Sequence, residues 1–214
     1  NSARSLTSED KSKLVLAIAD SIENATSEIL SVNENEVQEA KQQGLDDSQC
    51  DRLTLTNDRI RAMVESSKSI SMLEDPVGQV IESWTPPSGI KIDKVRVPLG
   101  VVAVIYENRP NVTLDSAVIS IMSGNVCVLR GSSAARQTNK VIVDAIHDAL
   151  EQCGVPKSLV TFIDDSTREG AMEVMKARGL IDVLIPRGGP SLISAIEENA
   201  TVPTIIDGSG NCHV

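Results

Sequence analysis

Three short segments concentrate the side chains able to do chemistry: Tyr106-Glu107-Asn108-Arg109-Pro110-Asn111, Arg130-Gly131-Ser132-Ser133 and Pro186-Arg187-Gly188-Gly189-Pro190-Ser191. In the last, Gly188 and Gly189 let backbone approach a bulky anion, and Pro190 suits the first turn of a helix. Free N–H groups and the helix dipole at such a start favour phosphate, to which Arg187 adds a full charge. The plainer reading is a tight turn with a solvated arginine. Arg130, followed by Gly131, Ser132 and Ser133, suits a ribose or its 2′-phosphate, or else a helix start capped by Ser132 or Ser133. Glu107 and Arg109 read either as an ion pair fixing their loop or with Arg109 facing an anionic substrate. Asn108 reads as an amide donor to a developing oxyanion or as a turn residue.

Other chemistry is less well supplied. Cys50, Cys127, Cys153 and Cys212 lie far apart with no C-x-x-C pair, so neither a zinc site nor a disulfide framework is expected. His147 and His213 are the only imidazoles, which argues against a His-rich metal centre. Cys212 and His213 are adjacent, and neighbours on an extended segment point to opposite faces, so they form no dyad. Buried structural roles are expected for Cys50, Cys127 and Cys153, and more weakly for Cys212.

The segments need a scaffold that brings them together, and the pattern from Leu99 onward supplies one. Apolar runs over 101–106, 126–129, 160–163, 181–185 and 204–206 read as five strands. Helical patterns over 112–123, 134–152, 167–178 and 190–199 alternate with them. Strands buried on both faces and joined by helical crossovers run parallel. Right-handed crossovers put all their carboxyl ends on one edge, where α/β sheets bind ligands. The three segments fall on that edge, after the first, second and fourth strands. The acidic loop after the third strand, Asp164-Asp165-Ser166-Thr167, reads chiefly as a helix cap.

Upstream, residues 7–71 read as helical. Thr7 or Ser8 caps a first helix with a stripe of Leu14, Ala17, Ile18, Ile22 and Ala25; Asn33 with Glu36 suggests a second start, and Gly44 a stop. Another helix follows Thr56. Between Pro76 and Pro98 the pattern alternates about a Pro86-Pro87-Ser88-Gly89 turn, predicting a β-hairpin. The expected organisation is an N-terminal helical segment (1–75), a hairpin or linker (76–98) and a Rossmann-like five-stranded α/β domain (99–214).

Bulk properties narrow the function. The 214 residues are 41% hydrophobic and 23% charged, ordinary globular values. Twenty basic against thirty acidic residues give −10, and Trp84, Tyr106 and Phe162 are the only aromatics, which excludes a nucleic-acid stacking surface. No apolar run spans a bilayer and no secretory signal opens the chain, so a cytoplasmic protein without membrane partners is expected.

The segment 97–113 (VPLGVVAVIYENRPNVT) resembles the γ-glutamyl phosphate reductase (glutamate-5-semialdehyde dehydrogenase) family of the aldehyde dehydrogenase superfamily. So do Ser123-Gly124-Asn125, Leu129-Arg130-Gly131, Ile181-Asp182, Leu184-Ile185-Pro186-Arg187-Gly188-Gly189, Gly210-Asn211-Cys212-His213, Glu74-Asp75-Pro76-Val77-Gly78 and Arg52-Leu53. The resemblance covers essentially the whole chain. It implies reduction of L-glutamyl 5-phosphate by NADPH to glutamate 5-semialdehyde and phosphate, in proline biosynthesis, through a cysteine thioester. It further implies a homo-oligomer and glutamate 5-kinase as a partner. By the same resemblance, Arg130, Ser132 and Ser133 lie by the adenosine end of NADP and Gly188, Gly189 and Ser191 by the pyrophosphate. The family's Pro-x-x-Cys-Asn nucleophile motif is absent, so the reacting cysteine is expected beyond Val214 and the isolated chain is expected inactive. Two other readings are kept: the reductase half of a bifunctional pyrroline-5-carboxylate synthase, and a non-catalytic nucleotide-binding or assembly module.

Overall fold

The computed structural model describes residues 6–206. The segment Gly210-Asn211-Cys212-His213 lies outside them. Helix α1 (Ser8–Asn24) starts in a capping box, in which the Thr7 side chain accepts from Asp10 N–H and the Asp10 side chain accepts from Thr7 N–H. After Ala25 the chain continues as α2 (Thr26–Gln42), so the second start expected at Asn33 falls inside a helix. Asn33 is drawn inward instead: its amide donates to Leu53 O (2.9 Å) and its oxygen accepts from Leu55 N (2.6 Å). A short α3 (Asp47–Leu53) and α4 (Asn57–Ser71) complete the helical part, each with a side-chain cap, from Asp46 and Thr56.

Strands β1 (Val80–Trp84) and β2 (Ile92–Val95) form the expected antiparallel hairpin, with Val80 opposite Val95 and Trp84 opposite Ile92. Gly89 takes the left-handed conformation (φ 80°) that its turn requires. Every residue of both strands is exposed.

The remaining chain alternates β3 (Val101–Tyr106), α5 (Asn111–Met122), β4 (Val126–Arg130), a 3₁₀ turn (Ser133–Ala135), α6 (Arg136–Gln152), β5 (Val160–Phe162), α7 (Arg168–Lys176), β6 (Val183–Arg187) and α8 (Pro190–Asn199). The sheet is parallel with strand order β5-β4-β3-β6. Among the described residues the sheet has four strands, and the segment expected at 204–206 as a fifth makes one isolated bridge, Thr204 to Leu184. The strand expected at 181–185 is shifted to Val183–Arg187, and just before it Asp182 meets β3 twice: its backbone N–H donates to Val101 O (2.9 Å) and its side chain accepts from Val101 N–H (2.8 Å). Pro186 is tolerated inside it because β6 has a full partner, β3, on one side only.

Alternation along β3 divides the core. Val102, Val104 and Tyr106 join one cluster with Leu14, Ile18 and Ile22 of α1, Ile60 and Val64 of α4, and apolar residues of α5 and α6. Ala103 and Ile105 face the other way, with Val174 and Met175 of α7 and Ile196 of α8. The N-terminal helices therefore complete one cover of the sheet. Because β3 sends its crossover to β4 while β6 returns to its opposite side, the strand order reverses between β3 and β6. A doubly wound sheet opens its ligand crevice at that point.

Candidate functional site

Just beyond the β3–β6 ladder one further backbone bond spans the reversal point, Glu107 N–H to Arg187 O (3.1 Å). Above it the loop after β3 fastens the other two. On one side the Glu107 carboxylate accepts Gly189 N–H at 2.7 Å, so the loop is tied to the first residues before α8. On the other, the Ser132 hydroxyl donates to Asn108 Oδ1 (2.9 Å) and accepts from Asn108 N–H (3.3 Å). Asn108 sits at φ 35°, the one left-handed non-glycine among the described residues, a conformation asparagine tolerates. It acts here as a turn residue.

These bonds settle several sequence expectations. Glu107 is held by the Gly189 N–H; no ion pair joins it to Arg109 among the described residues. Ser132 occupies a cap position with extended backbone, but no side-chain cap bond forms there, because its hydroxyl is committed to Asn108. Thr167 does cap α7, accepting Gly170 N–H (3.1 Å). Cys50 and Cys127 are buried, whereas Cys153 is exposed at the end of α6, against expectation. Burial raises the Cys127 thiol to about 12.

Arg130 leaves the end of β4 half-buried. Its Nη2 donates to Thr167 O (2.7 Å), while Nε is buried without a hydrogen-bond partner. Burial pulls the guanidinium below its ordinary value, and the nearby Asp165 charge opposes that. Arg136, one turn further on, is bidentate to Asp164 at 2.7 and 2.9 Å. Gly131 is buried, and a Cβ there would collide with the Asn139 amide, so the Arg130–Ser133 turn needs glycine. Gly188 is similar: a Cβ would lie 2.6 Å from Glu107 Oε2 and 2.7 Å from Leu192 Cδ2. Ser133, Arg187, Gly188 and Ser191 are exposed at the rim, and Arg109, Asn108 and Glu107 are half-buried beside them. A cleft of about 190 Å³ joins Arg109, Arg187 and the diglycine turn to Arg52 of α3.

Sequence reasoning missed the layer beneath. Tyr106 Oη and Thr113 Oγ1 lie 2.7 Å apart, Thr113 Oγ1 donates to Asn139 Oδ1 (3.0 Å), and Asn139 Nδ2 fills the space that a side chain at Gly131 would need. This fully buried chain runs from β3 through α5 to α6 and supports the turn from below. It also missed Glu36 of α2. That carboxylate accepts Gln137 N–H (2.7 Å), Thr138 N–H (2.9 Å) and the Thr138 hydroxyl (2.6 Å) at the start of α6. A helix N-terminus is thereby satisfied by a residue about a hundred positions away, which no local spacing reveals.

Strand order, a rim built from three loops and a diglycine turn before α8 define a doubly wound α/β fold of the Rossmann type, without the three-glycine fingerprint after its first strand. The chain belongs to the aldehyde dehydrogenase family, whose sequence profile matches residues 1–210. It is 42% identical over 209 residues to γ-glutamyl phosphate reductase of Geobacillus sp. (strain WCH70), covering 98% of this chain and 51% of that protein. To the Bacillus anthracis protein of the same name it is 46% identical over 206 residues, covering 96% and 50%. The crystal structure of γ-glutamyl phosphate reductase from Thermotoga maritima superposes with a TM-score of 0.93 at 41% identity, over 99% of this chain and 51% of that one. The Saccharomyces cerevisiae reductase gives 0.87 at 29%, over 95% and 52%. The chain thus spans about half the length of the relatives it matches.

Proposed function

We propose that this chain is the cofactor-binding half of an enzyme that reduces L-glutamyl 5-phosphate to glutamate 5-semialdehyde and phosphate with NADPH. The close likeness to proteins named γ-glutamyl phosphate reductase supports the reaction. The observation that carries the cofactor assignment is the stapled rim, where Glu107 holds the diglycine turn and Asn108 holds Ser132 of the Arg130 turn at the carboxyl edge of the sheet. One feature fits a dinucleotide: Arg130 Nε, at the carboxyl end of β4, is a buried donor without a partner.

In this reading Gly188, Gly189 and Ser191 hold the pyrophosphate at the start of α8. Arg130, with Ser132 and Ser133, takes the adenosine ribose and its 2′-phosphate, which favours NADPH over NADH. Arg109 and Glu107 flank the reacting end, with Arg109 presented to the anionic substrate. NADPH supplies a hydride; the chain's residues orient the dinucleotide and offset its charge. The acyl phosphate must come from phosphoryl transfer to a γ-carboxylate, the step of glutamate 5-kinase. The exposed 80–95 arm is assigned to assembly of a homo-oligomer in the cytoplasm.

The test is a fluorescence titration with NADPH and NADH of the wild-type chain and Arg130→Met. Removing a half-buried guanidinium that contacts phosphate is expected to weaken NADPH on the order of tenfold to a hundredfold while sparing NADH. Equal weakening of both dinucleotides, or no binding of either, would refute the assignment.

A further inference from the structure

Arg109 also borders a second cleft. Besides the rim crevice, it lines a hollow of about 400 Å³ enclosed by α3, α4 and the start of α5. That hollow carries five charged side chains, and two of them are spent. Arg59 Nη2 binds Asp51 Oδ1 (2.7 Å), and its Nη1 donates to the carbonyls of Asp51 and Thr54, which fastens α3 to α4.

The other three are held apart. Arg109 is half-buried, and its guanidinium has no side-chain or carbonyl partner among the described residues. Arg52 makes one bond, from Nη2 to the Ser48 hydroxyl (3.0 Å). Asp115 is half-buried and receives a single N–H, from Asn111 Nδ2 (3.0 Å). Burial raises its carboxyl. A guanidinium and a carboxylate that border one hollow without pairing leave both desolvation costs uncompensated within the chain. A ligand bearing both charges, in the opposite sense, would compensate them.

We infer that this hollow binds the α-amino-acid end of the substrate, with Arg109 and Arg52 on the α-carboxylate and Asp115 on the α-ammonium. The inference rests on the glutamyl phosphate reading above, which supplies a substrate with a free amino-acid head. The activated γ-end then extends toward the rim, since Arg109 is common to both spaces. The arrangement rejects a substrate whose amine is acylated, because the Asp115 carboxylate then meets no cation.

Calorimetric titration of the chain with L-glutamate, N-acetyl-L-glutamate and glutarate tests this. L-Glutamate is expected to bind on the order of tenfold more tightly than either of the others, the usual worth of one charge-assisted contact. Asp115→Asn should bring L-glutamate down to the level of glutarate and leave glutarate unchanged. Arg52→Gln, a change at an exposed position, should weaken L-glutamate and glutarate alike. NADPH titrated into the same samples should bind the Asp115→Asn variant as it binds wild type, which also reports that the variant is folded. Equal affinity of wild type for L-glutamate and glutarate, or equal losses for both in Asp115→Asn, would overturn the inference. NADPH binding without L-glutamate binding would overturn it and leave the cofactor reading standing. L-Glutamate binding without NADPH binding would support it and sink the cofactor reading instead.

Discussion

Replacing Glu36 by alanine tests whether the N-terminal helices hold the start of α6 in place. The Glu36 side chain is buried, and its two oxygens take three protons from the first turn of α6 at 2.6–2.9 Å. Each bond is charge-assisted, of a kind worth about 1.5–3 kcal/mol, and the carboxylate also faces the positive end of a 17-residue helix. Alanine removes all three together. Thr138 is fully buried, so its N–H and hydroxyl are left without water to replace the carboxylate. Since the three bonds share one carboxylate their worth is not additive, and about 3–5 kcal/mol of destabilisation is expected. That is a large share of the ~5–15 kcal/mol that holds an ordinary protein folded. Urea unfolding followed by circular dichroism at 222 nm measures it, with Glu34→Ala, exposed on the same helix, as the control. The control should stay within about 0.5 kcal/mol of wild type. A Glu36→Ala loss under about 1 kcal/mol would show that the strap does not anchor α6.

Three further outcomes follow from single residues. In Gly188→Ala the new Cβ displaces the Glu107 carboxylate from Gly189 N–H, so NADPH affinity measured by fluorescence should fall on the order of tenfold or more; unchanged affinity would refute the stapled rim. Burial alone would raise Asp75, but the Lys11 ammonium, the Val77 N–H and the Ser8 hydroxyl outweigh it and hold its carboxyl below the ordinary 3.8. The unfolded chain is therefore protonated first as pH falls. The stabilisation is full above 3.8 and is lost as pH drops through the lower folded value, so the urea midpoints of wild type and Asp75→Asn should converge on acidification; a gap constant from pH 7 to pH 3 would contradict this. Under native conditions a thiol reagent should label Cys153 and spare Cys127, whose thiol burial raises to about 12; mass spectrometry finding Cys127 labelled in folded protein would count against the packing of β4.

Much of this architecture was legible because it is written in local patterns. The apolar run at 101–106 reads as a strand buried on both faces, and it is the centre of the sheet. Pro190 after two glycines marks the start of α8 to the residue. Thr167, the last residue of the loop read as a helix cap, does cap α7. The misreadings came where distant parts decide. Asn33 and Glu36 look like a helix start, yet their side chains answer the backbone of Leu53, Leu55 and Thr138, far off in sequence, so the helix runs through them. The last apolar segment has β propensity but reaches the sheet with a single bridge at Thr204. At the site, the sequence showed which loops meet but not how. Glu107 looked like a partner for the neighbouring Arg109, while a backbone N–H more than eighty residues away holds it. The Tyr106–Thr113–Asn139 chain carried no signal, since each residue alone is an ordinary strand or helix position.

The crevice between β3 and β6 is proposed to hold a reduced pyridine dinucleotide. Amide hydrogen exchange with and without saturating NADPH addresses it directly. The predicted result is protection confined to the three rim loops, 107–110, 130–133 and 187–191, with the hairpin at 80–95 unchanged. Protection that avoids the diglycine turn, or an exchange pattern that NADPH leaves untouched, would contradict it.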